Sequence, residues 1–441
     1  MSELDVSAFV AKHTYGTWRP QKGWKPLHVT KAEGCHFYDA SGKRYLDMSA
    51  QLMCSNLGHQ NAAVVEAICK QAKELCFVAP GFATTVRAQL AQTLLDVVPK
   101  GIEKFFFATS GTEANECAVK MARLMTGKRK VLARYNSYHG STAASVALTG
   151  DYRRWFAEST GNSVAEVIHV PECNPYRPGP FHSALETIDY IEYVLKNEAN
   201  VAAMIVEPVV GTNGVLVPPD EYLPKLHALL KKHGVLLIAD EVMAGWGRTG
   251  AWFSVDHWNV KPDILVTAKG VTSAMAPLGV VGTTREIANF FEDGWFAHGH
   301  TYESHSLTLA PAIAAIGEYK RLGLIERAKE LGTRFGEKLK ALAERHPSVG
   351  DVRGLGMFWA IELVKNRTTK EPFNTFHDKF ARKPMLVDQV SAKLMEQGVY
   401  AVGWMSHFVL APPLIISETE LDECIAAFDK ALAIADAAVT S

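Results

Sequence analysis

A chain of 441 residues, 48% hydrophobic and 21% charged, is long enough to bury a large core and is expected to divide into two or three structural units. Its 46 basic and 47 acidic residues leave a formal charge of -1, which offers nothing to nucleic acid or to an anionic membrane surface. The seven cysteines (35, 54, 69, 76, 117, 173 and 424) show no CxxC spacing, against both a disulfide framework and a zinc site.

The opening stretch, MSELDVSAFVAKHTYG, carries acids early and lacks the apolar run of a signal peptide. No window reaches the roughly 20 apolar residues of a membrane span, so the expected compartment is a reducing cytoplasm. TYGTWRPQKGWKPL reads as an aromatic loop, and GCHFYDASGKRYLDMSA as two short strands around the turn Ala40–Lys43.

From about residue 60, helical and strand patterns alternate. NAAVVEAICKQAKEL, VRAQLAQTLLDVV and TEANECAVKMARLM have helical spacing, the last through Ala114, Cys117, Ala118, Met121 and Met125. KFFFATS, KVLARYNSYHG, AAMIVEPVV, GVLLIADEV, DILVTAK and LGVVGTT are short apolar runs rich in β-branched residues. Strands apolar on both faces and joined by helices imply an α/β unit with a largely parallel sheet. Beyond about 320 the pattern becomes α+β. It holds a long amphipathic helix at LIERAKELGTRFGEKLKALAERH, strands at VRGLGMFWAIELV and FVLAPPLII, and the closing helix ETELDECIAAFDKALAIADAAV. The segment NRTTKEPFNTFHDKFARKPM reads as a surface loop.

In such sheets ligands sit beyond the carboxyl ends of the strands. Five strand ends here finish in polar groups or glycine-rich turns: Gly111-Thr112, Tyr138-His139-Gly140, Glu207-Pro208, Asp240-Glu241 and Lys269. A strand-end lysine alone is usually a snorkelling surface residue. Between small Ala268 and Gly270, however, there is room for a ligand, and a desolvated lysine is the amine that forms a Schiff base with an aldehyde. Asp240 is by itself as readily a turn cap. If Lys269 holds a pyridine aldehyde, Asp240 suits the ring nitrogen, keeping it protonated so that the ring accepts electrons. Ser110, Gly111 and Thr112 precede a helix, either as a plain N-cap or as a phosphate site. Tyr138 is placed for stacking on a flat ring, or for simple packing.

Three lookalikes fall away. TGKRK at 126–130 lacks the first glycine of a phosphate-binding lysine loop, and LGVVGTT lacks GxGxxG. The histidines of HGHTYESH (298, 300 and 305) have no acid or cysteine at ligand spacing, so no metal is expected.

FATSGTEANECAVKMAR, YHG, VEPVVG, IADEV, TAKG and GHTYESH occur in the order found in class III (omega) aminotransferases, pyridoxal-phosphate enzymes of fold type I. YDASGKRYLDMSAQLMCSNLGH and APPLIIS resemble that family's terminal segments, so the resemblance spans nearly the whole chain. It implies an N-terminal segment (1–60) contributing to a small domain and the active site, a large cofactor-binding domain (61–325) and a C-terminal small domain (326–441). Carried onto this sequence, it implies Lys269 as the Schiff-base lysine and proton shuttle and Asp240 as the partner of the pyridine nitrogen. Val242 and Tyr138 would pack on the two ring faces, and Ser110, Gly111 and Thr112 would form the phosphate cup. His139 and Glu207 would lie beside the cofactor, and Thr301 would reach the phosphate bound by a neighbouring subunit. A homodimer or dimer of dimers follows. The pocket would be formed by Trp18, Leu52, Met53 and Phe82, each of which reads equally as a core residue.

The sequence departs from the family where many members carry an arginine for the acceptor's carboxylate. VYAVGWMSHFVLAPPL has none, which leaves Trp404, His407 or an arginine elsewhere. YHGSTAASVALTGDYRRW and FWAIELVKNRTTKEP resemble taurine- and beta-alanine-type enzymes. They imply transfer of a terminal amino group from an omega-amino acid, amino sulfonate or amine to a 2-keto acid, pyruvate before 2-oxoglutarate. The alternatives are a 4-aminobutyrate-type enzyme using 2-oxoglutarate, or an aminomutase, racemase or decarboxylase on the same fold.

Overall fold

The computed structural model describes residues 5–161 and 166–440, so the first four residues of the segment read as no signal peptide lie outside it. Its centre is a seven-stranded sheet in the spatial order Ile102–Ala108, Gly279–Thr284, Ile264–Thr267, Leu236–Asp240, Val201–Val206, Lys130–Arg134, Val167–Val170. Every neighbouring pair is parallel except those made by Gly279–Thr284, which runs antiparallel to both flanking strands. LGVVGTT has the same apolar character as its parallel neighbours, so its direction is not readable from its residues.

Both faces of the sheet are buried, which is why its strands read as unbroken apolar runs. Alternate residues feed two cores. Ala203, Ile205, Ile238, Ile264 and Val266 join the side chains of the Gly111–Thr126 helix on one face. Met204, Val206, Leu237, Ala239 and Leu265 join the larger core on the other. The period of two in each strand thus splits a continuous hydrophobic run between two helical layers.

A smaller sheet joins Val29–Glu33, His36–Asp39 and Arg44–Asp47 to Val399–Tyr400, the last pairing parallel to Leu46–Asp47. A third is built from Val349–Leu355, Phe358–Asn366, His407–Leu410 and Val402–Trp404. VRGLGMFWAIELV is therefore a hairpin rather than one strand run. It turns at Gly356 (φ +58), where a Cβ would come within 2.3 Å of the Thr249 backbone. The side chain of Arg248, fully buried, donates to Asn56 Oδ1 (2.6 Å), Met357 O (3.2 Å) and Pro412 O (2.5 Å), tying early, middle and late parts of the chain together.

Two local readings need correction, and one element was not expected. Residues 366–385 contain a short strand at Glu371–Pro372 and a helix at Phe376–Phe380 capped by Thr375, whose Oγ1 accepts from Asp378 N at 3.3 Å. The closing helix runs Glu418–Ala431 and restarts as Ala433–Asp436. The N-terminal stretch forms a helix at Val6–His13, capped by Asp5.

Candidate active site

Because the strands run parallel, the residues after Ala108, Arg134, Val206, Asp240 and Thr267 emerge along one edge of the sheet. They surround a cavity of about 520 Å³ lined by Ser110, Gly111, Thr112, Tyr138, His139, Glu207, Asp240, Val242 and Lys269. Nine of the ten cofactor-region residues expected from the sequence, all but Thr301, converge there.

Lys269 sits at φ +46, a left-handed conformation rarely taken by a residue with a side chain. Its mount is pinned on both sides: Trp246 Nε1 donates to Thr267 Oγ1 (2.6 Å) and Tyr319 Oη to Gly270 O (2.8 Å). Gly270 does not clear space for a ligand, as the sequence reading has it. A Cβ there would meet Asn56 Nδ2 and Trp246 Cβ at 2.7 Å, so the glycine serves packing behind the lysine. Ala268 does line the cavity. Burial lowers the Lys269 amine below its usual range, and Arg153 adds to that. Cys54, Asp240 and Glu207 oppose it.

Asp240 is 3% exposed and every polar contact it makes is built in. Asn115 Nδ2 donates to Oδ2 (2.9 Å), His139 Nδ1 lies 2.8 Å from the same oxygen, and Val242 N donates to Oδ1 (3.1 Å). Glu207 accepts from Tyr138 N (3.0 Å) and Gly211 N (2.8 Å). Burial raises its carboxyl, while His139 and these amides pull it down.

Ser110 caps the Gly111–Thr126 helix by accepting from Glu113 N (3.3 Å), and Glu113 in turn accepts from Thr109 N (3.0 Å). The Gly111 and Thr112 amides have no partner among the described residues, as expected of a helix start poised for an anion. Thr112 Oγ1 lies 2.6 Å from Ser145 Oγ and accepts from Ser141 N (3.1 Å). Gly140 (φ +137) is obligatory there, since a Cβ would fall 2.1 Å from Thr112 Oγ1.

Several contributors were missed. Asn115 lies one helical turn beyond Gly111 on the same face, a spacing that was visible. Cys54, Ser141, Thr212 and Met243 also line the cavity. Arg153 is the most consequential. Its guanidinium lies 3.7 Å from the Tyr138 ring centroid, 4.6 Å from Trp404 and 5.8 Å from Trp18. It is 5% exposed and held by Asp151, with Nε 3.0 Å from Oδ1; Nη1 has no acceptor among the described residues. Asp151 Oδ2 also accepts from Asn213 Nδ2 (3.1 Å), whose Oδ1 accepts from Trp404 Nε1 (3.2 Å). No spacing rule links Tyr138 to Arg153, because the intervening Ala143–Leu148 helix brings them together.

The expected pocket residues are scattered. Trp18 and Trp404 flank Arg153. Met53 is buried against Val209 and Met243. Leu52 and Phe82 stand exposed, as does Thr301, so in a single chain they do not line the cavity. The placement of His407 differs from the expected pocket role. Its Nε2 lies 2.9 Å from Thr212 O, outside the cavity lining, and burial pushes its pKa down to about 4, leaving a neutral structural ring.

Glu241, beside Asp240, is fully buried with no cationic partner among the described residues, accepting from Ser254 Oγ (2.7 Å) and Val255 N (2.8 Å). Desolvation raises its pKa from 4.5 to about 7. In that interval the native state holds a proton the unfolded chain has released, so stability falls as pH rises through it, by about 3 kcal/mol in all. Glu241→Gln is expected to flatten this part of the thermal-melting profile and raise Tm at pH 8. A slope equal to that of the wild type would reject the assignment.

A lysine and an aspartate at adjacent strand ends, above an open helix N-terminus, define the framework of a fold type I pyridoxal-phosphate enzyme. The chain belongs to the class III aminotransferases: the family model Aminotransferase class-III matches residues 19–432. It is 34% identical over 432 residues to putrescine–pyruvate aminotransferase of Pseudomonas aeruginosa, covering 93% of this chain and 91% of that one. It is 32% identical over 452 residues to taurine–pyruvate aminotransferase of Bilophila wadsworthia, covering 97% of each. It superposes on taurine:2-oxoglutarate aminotransferase from Bifidobacterium kashiwanohense, solved with pyridoxal phosphate and glutamate, with a TM-score of 0.94, 36% identity and full coverage of both chains. It is therefore a pyridoxal-phosphate-dependent transaminase, which moves an amino group from an amine donor to a keto acid.

The residues fit the cofactor. The cavity is closed at Gly111, where a Cβ would press on Val242 Cγ1 at 3.0 Å, and two of its buried polar atoms, Asn115 Oδ1 and His139 Nε2, have no partner among the described residues. When bound, pyridoxal phosphate supplies an aldehyde for amine exchange and a ring that accepts the electron pair left by carbon deprotonation. The chain does the rest. With the cofactor in place, Lys269 Nζ would take and return the proton, Asp240 would hold one at the ring nitrogen, and the 110–112 amides would hold the phosphate. Among the described residues no helix is long and apolar enough to cross a membrane.

Proposed function

We propose that the donor is a short omega-amino acid or amino sulfonate and the acceptor a 2-keto acid, pyruvate foremost. The observation that carries this reading is Arg153, a buried guanidinium stacked on Tyr138, itself a wall residue of the Lys269 cavity, with Nη1 free of any acceptor among the described residues. An arginine there supplies the carboxylate- or sulfonate-binding group that 399–414 lacks. The name of one relative pairs taurine with pyruvate and supports both halves of this reading, while that of another pairs pyruvate with putrescine, a diamine without an acid group, and supports the acceptor alone. The printed acceptor of one structural neighbour, 2-oxoglutarate, supports a second reading of the acceptor alone.

Lys269, Asp240, Ser110, Gly111, Thr112, Tyr138, His139, Glu207 and Val242 serve the cofactor in this proposal. Trp18 and Trp404 shape the donor pocket around Arg153, and Thr301, Leu52 and Phe82 complete the site of a second copy. Support for a homodimer, or a dimer of dimers, comes from large apolar side chains exposed on the single chain, with Trp295 at 91%, Phe82 at 66%, Leu52 at 65% and Tyr302 at 61%. Seven free cysteines and the absence of a membrane-crossing helix among the described residues support a cytoplasmic setting.

The test is a donor panel of taurine, beta-alanine, 4-aminobutyrate and 1-phenylethylamine against pyruvate and 2-oxoglutarate, with Arg153→Gln alongside the wild type. Losing a charge-assisted contact is expected to raise KM for the donors with a carboxylate or sulfonate by about tenfold to a hundredfold while sparing 1-phenylethylamine. Equal losses for donors with and without an acid group would sink the assignment.

A further inference from the structure

A second cavity, of about 470 Å³, opens beside Trp18, over whose ring the Arg153 guanidinium lies. Aromatic Trp18, Tyr152 and Phe156 line it, together with the cations Arg19, Lys379, Arg382 and Lys383, and no carboxylate lines it. That is an unusual concentration of one sign in a chain whose formal charge is -1. Lys383 is paired, its Nζ 2.7 Å from Asp378 Oδ1, and that ion pair holds the Asp378 carboxyl down at about 2. Arg19, Lys379 and Arg382 have no carboxylate partner among the described residues.

The two cavities share a partition. Arg153 faces Tyr138, a wall of the inner cavity, at 3.7 Å and Trp18, a wall of the outer one, at 5.8 Å. Tyr152 lines the outer cavity and packs 5.7 Å from Trp404, over which Arg153 also lies. The Tyr152 side chain is 3% exposed, and its buried hydroxyl has no hydrogen-bond partner among the described residues. The cations come mostly from the Phe376–Phe380 helix and the turn after it, which the sequence presents as plain surface loop.

We propose that this outer cavity is an anion-collecting vestibule, which draws carboxylate- or sulfonate-bearing substrates to Arg153 and onward to Lys269. The idea rests on the anionic-substrate reading given above. Low-dielectric aromatic walls focus the field of the three unpaired cations, raising the local concentration of small anions without touching the reacting atoms. Arg153 then takes over the anion, because its guanidinium lies over both Trp18, which lines the outer cavity, and Tyr138, which lines the inner one. The vestibule acts on encounter and on KM; turnover of bound substrate does not depend on it.

The experiment compares Lys379→Glu/Arg382→Glu with the wild-type holoenzyme. The acceptor half-reaction is followed with the anion pyruvate, and the donor half-reaction with the acid-free cation 1-phenylethylamine, at several salt concentrations. For pyruvate kcat/KM is expected to drop about tenfold at low salt with kcat held, and its salt dependence to flatten or invert. Rates with 1-phenylethylamine should not fall. The milder Lys379→Gln/Arg382→Gln pair should give an intermediate loss, which separates a charge effect from a folding defect. If pyruvate reacts and the reversal leaves its kcat/KM and salt slope unchanged, the vestibule is overturned while the substrate reading stands. If in the wild type pyruvate does not react and neither taurine nor beta-alanine is a donor, both fall together.

Discussion

Lys269→Ala is expected to leave a folded, cofactor-binding protein whose amine transfer is slower by roughly ten-thousandfold or more. The side chain contributes nothing to the core that its neighbours do not already secure. Thr267 is held by Trp246 and Gly270 by Tyr319, so the turn survives without the amine. What disappears is the primary amine lining the cavity, whose proton affinity is already lowered by burial. Two measurements check this: single-turnover kinetics with an amine donor, and the visible absorbance of the lysine-bound cofactor, which the variant should lack. Added small amines should restore part of the proton transfer. Full activity in Lys269→Ala would falsify the central assignment.

Asp240→Asn has the second largest expected effect. The shape is kept, but an amide accepts on one side only, so Asn115 Nδ2 at Oδ2 and Val242 N at Oδ1 no longer both find an oxygen. The charge is lost, and with it the protonated state of the ring nitrogen. Breaking a buried charged pair costs about 3–5 kcal/mol, which corresponds to a fall in kcat of roughly a hundredfold to a few thousandfold. The loss should appear in kcat, beyond whatever fall in Tm the mismatched amide brings. A variant with a normal kcat and a lowered Tm would make Asp240 a structural cap, the reading its strand-end position also permits.

The sheet and the inner site were legible because both rest on short-range rules. Continuous apolar runs such as Val201–Val206 can only be strands buried on both faces, and parallel strands deliver their last residues to one edge. Reading the residue after each strand therefore found Lys269, Asp240, Tyr138 and the 110–112 turn without any long-range information. Arg153 was invisible for the opposite reason. Its function depends on a loop and a short helix folding back over Tyr138, and on Trp404 arriving from the other end of the chain. His407 was misjudged because polarity suggests a ligand, whereas the fold gives its ring a backbone carbonyl and no water. Gly270 was assigned the wrong vacancy: glycine reports that something comes close, and only the coordinates tell that it is Trp246. The cationic helix at Phe376–Phe380 was passed over because a run of charges in a loop carries no signal of what it faces.

The small sheet in which Leu46 pairs with Val399 and Asp47 with Tyr400 has a consequence for how the protein is made. During synthesis the early strands Val29–Glu33, His36–Asp39 and Arg44–Asp47 leave the ribosome long before their fourth member exists. The edge of Arg44–Asp47 must wait, unpaired, for nearly the whole chain. Trp18 and Cys54 flank these strands, so neither cavity wall is complete until that late partner docks. Such long-range closure slows folding and leaves the newborn chain exposed to edge-to-edge association. A chain released before residue 399 would keep its central sheet, its lysine and its aspartate, yet present an open strand edge where the finished enzyme has a wall.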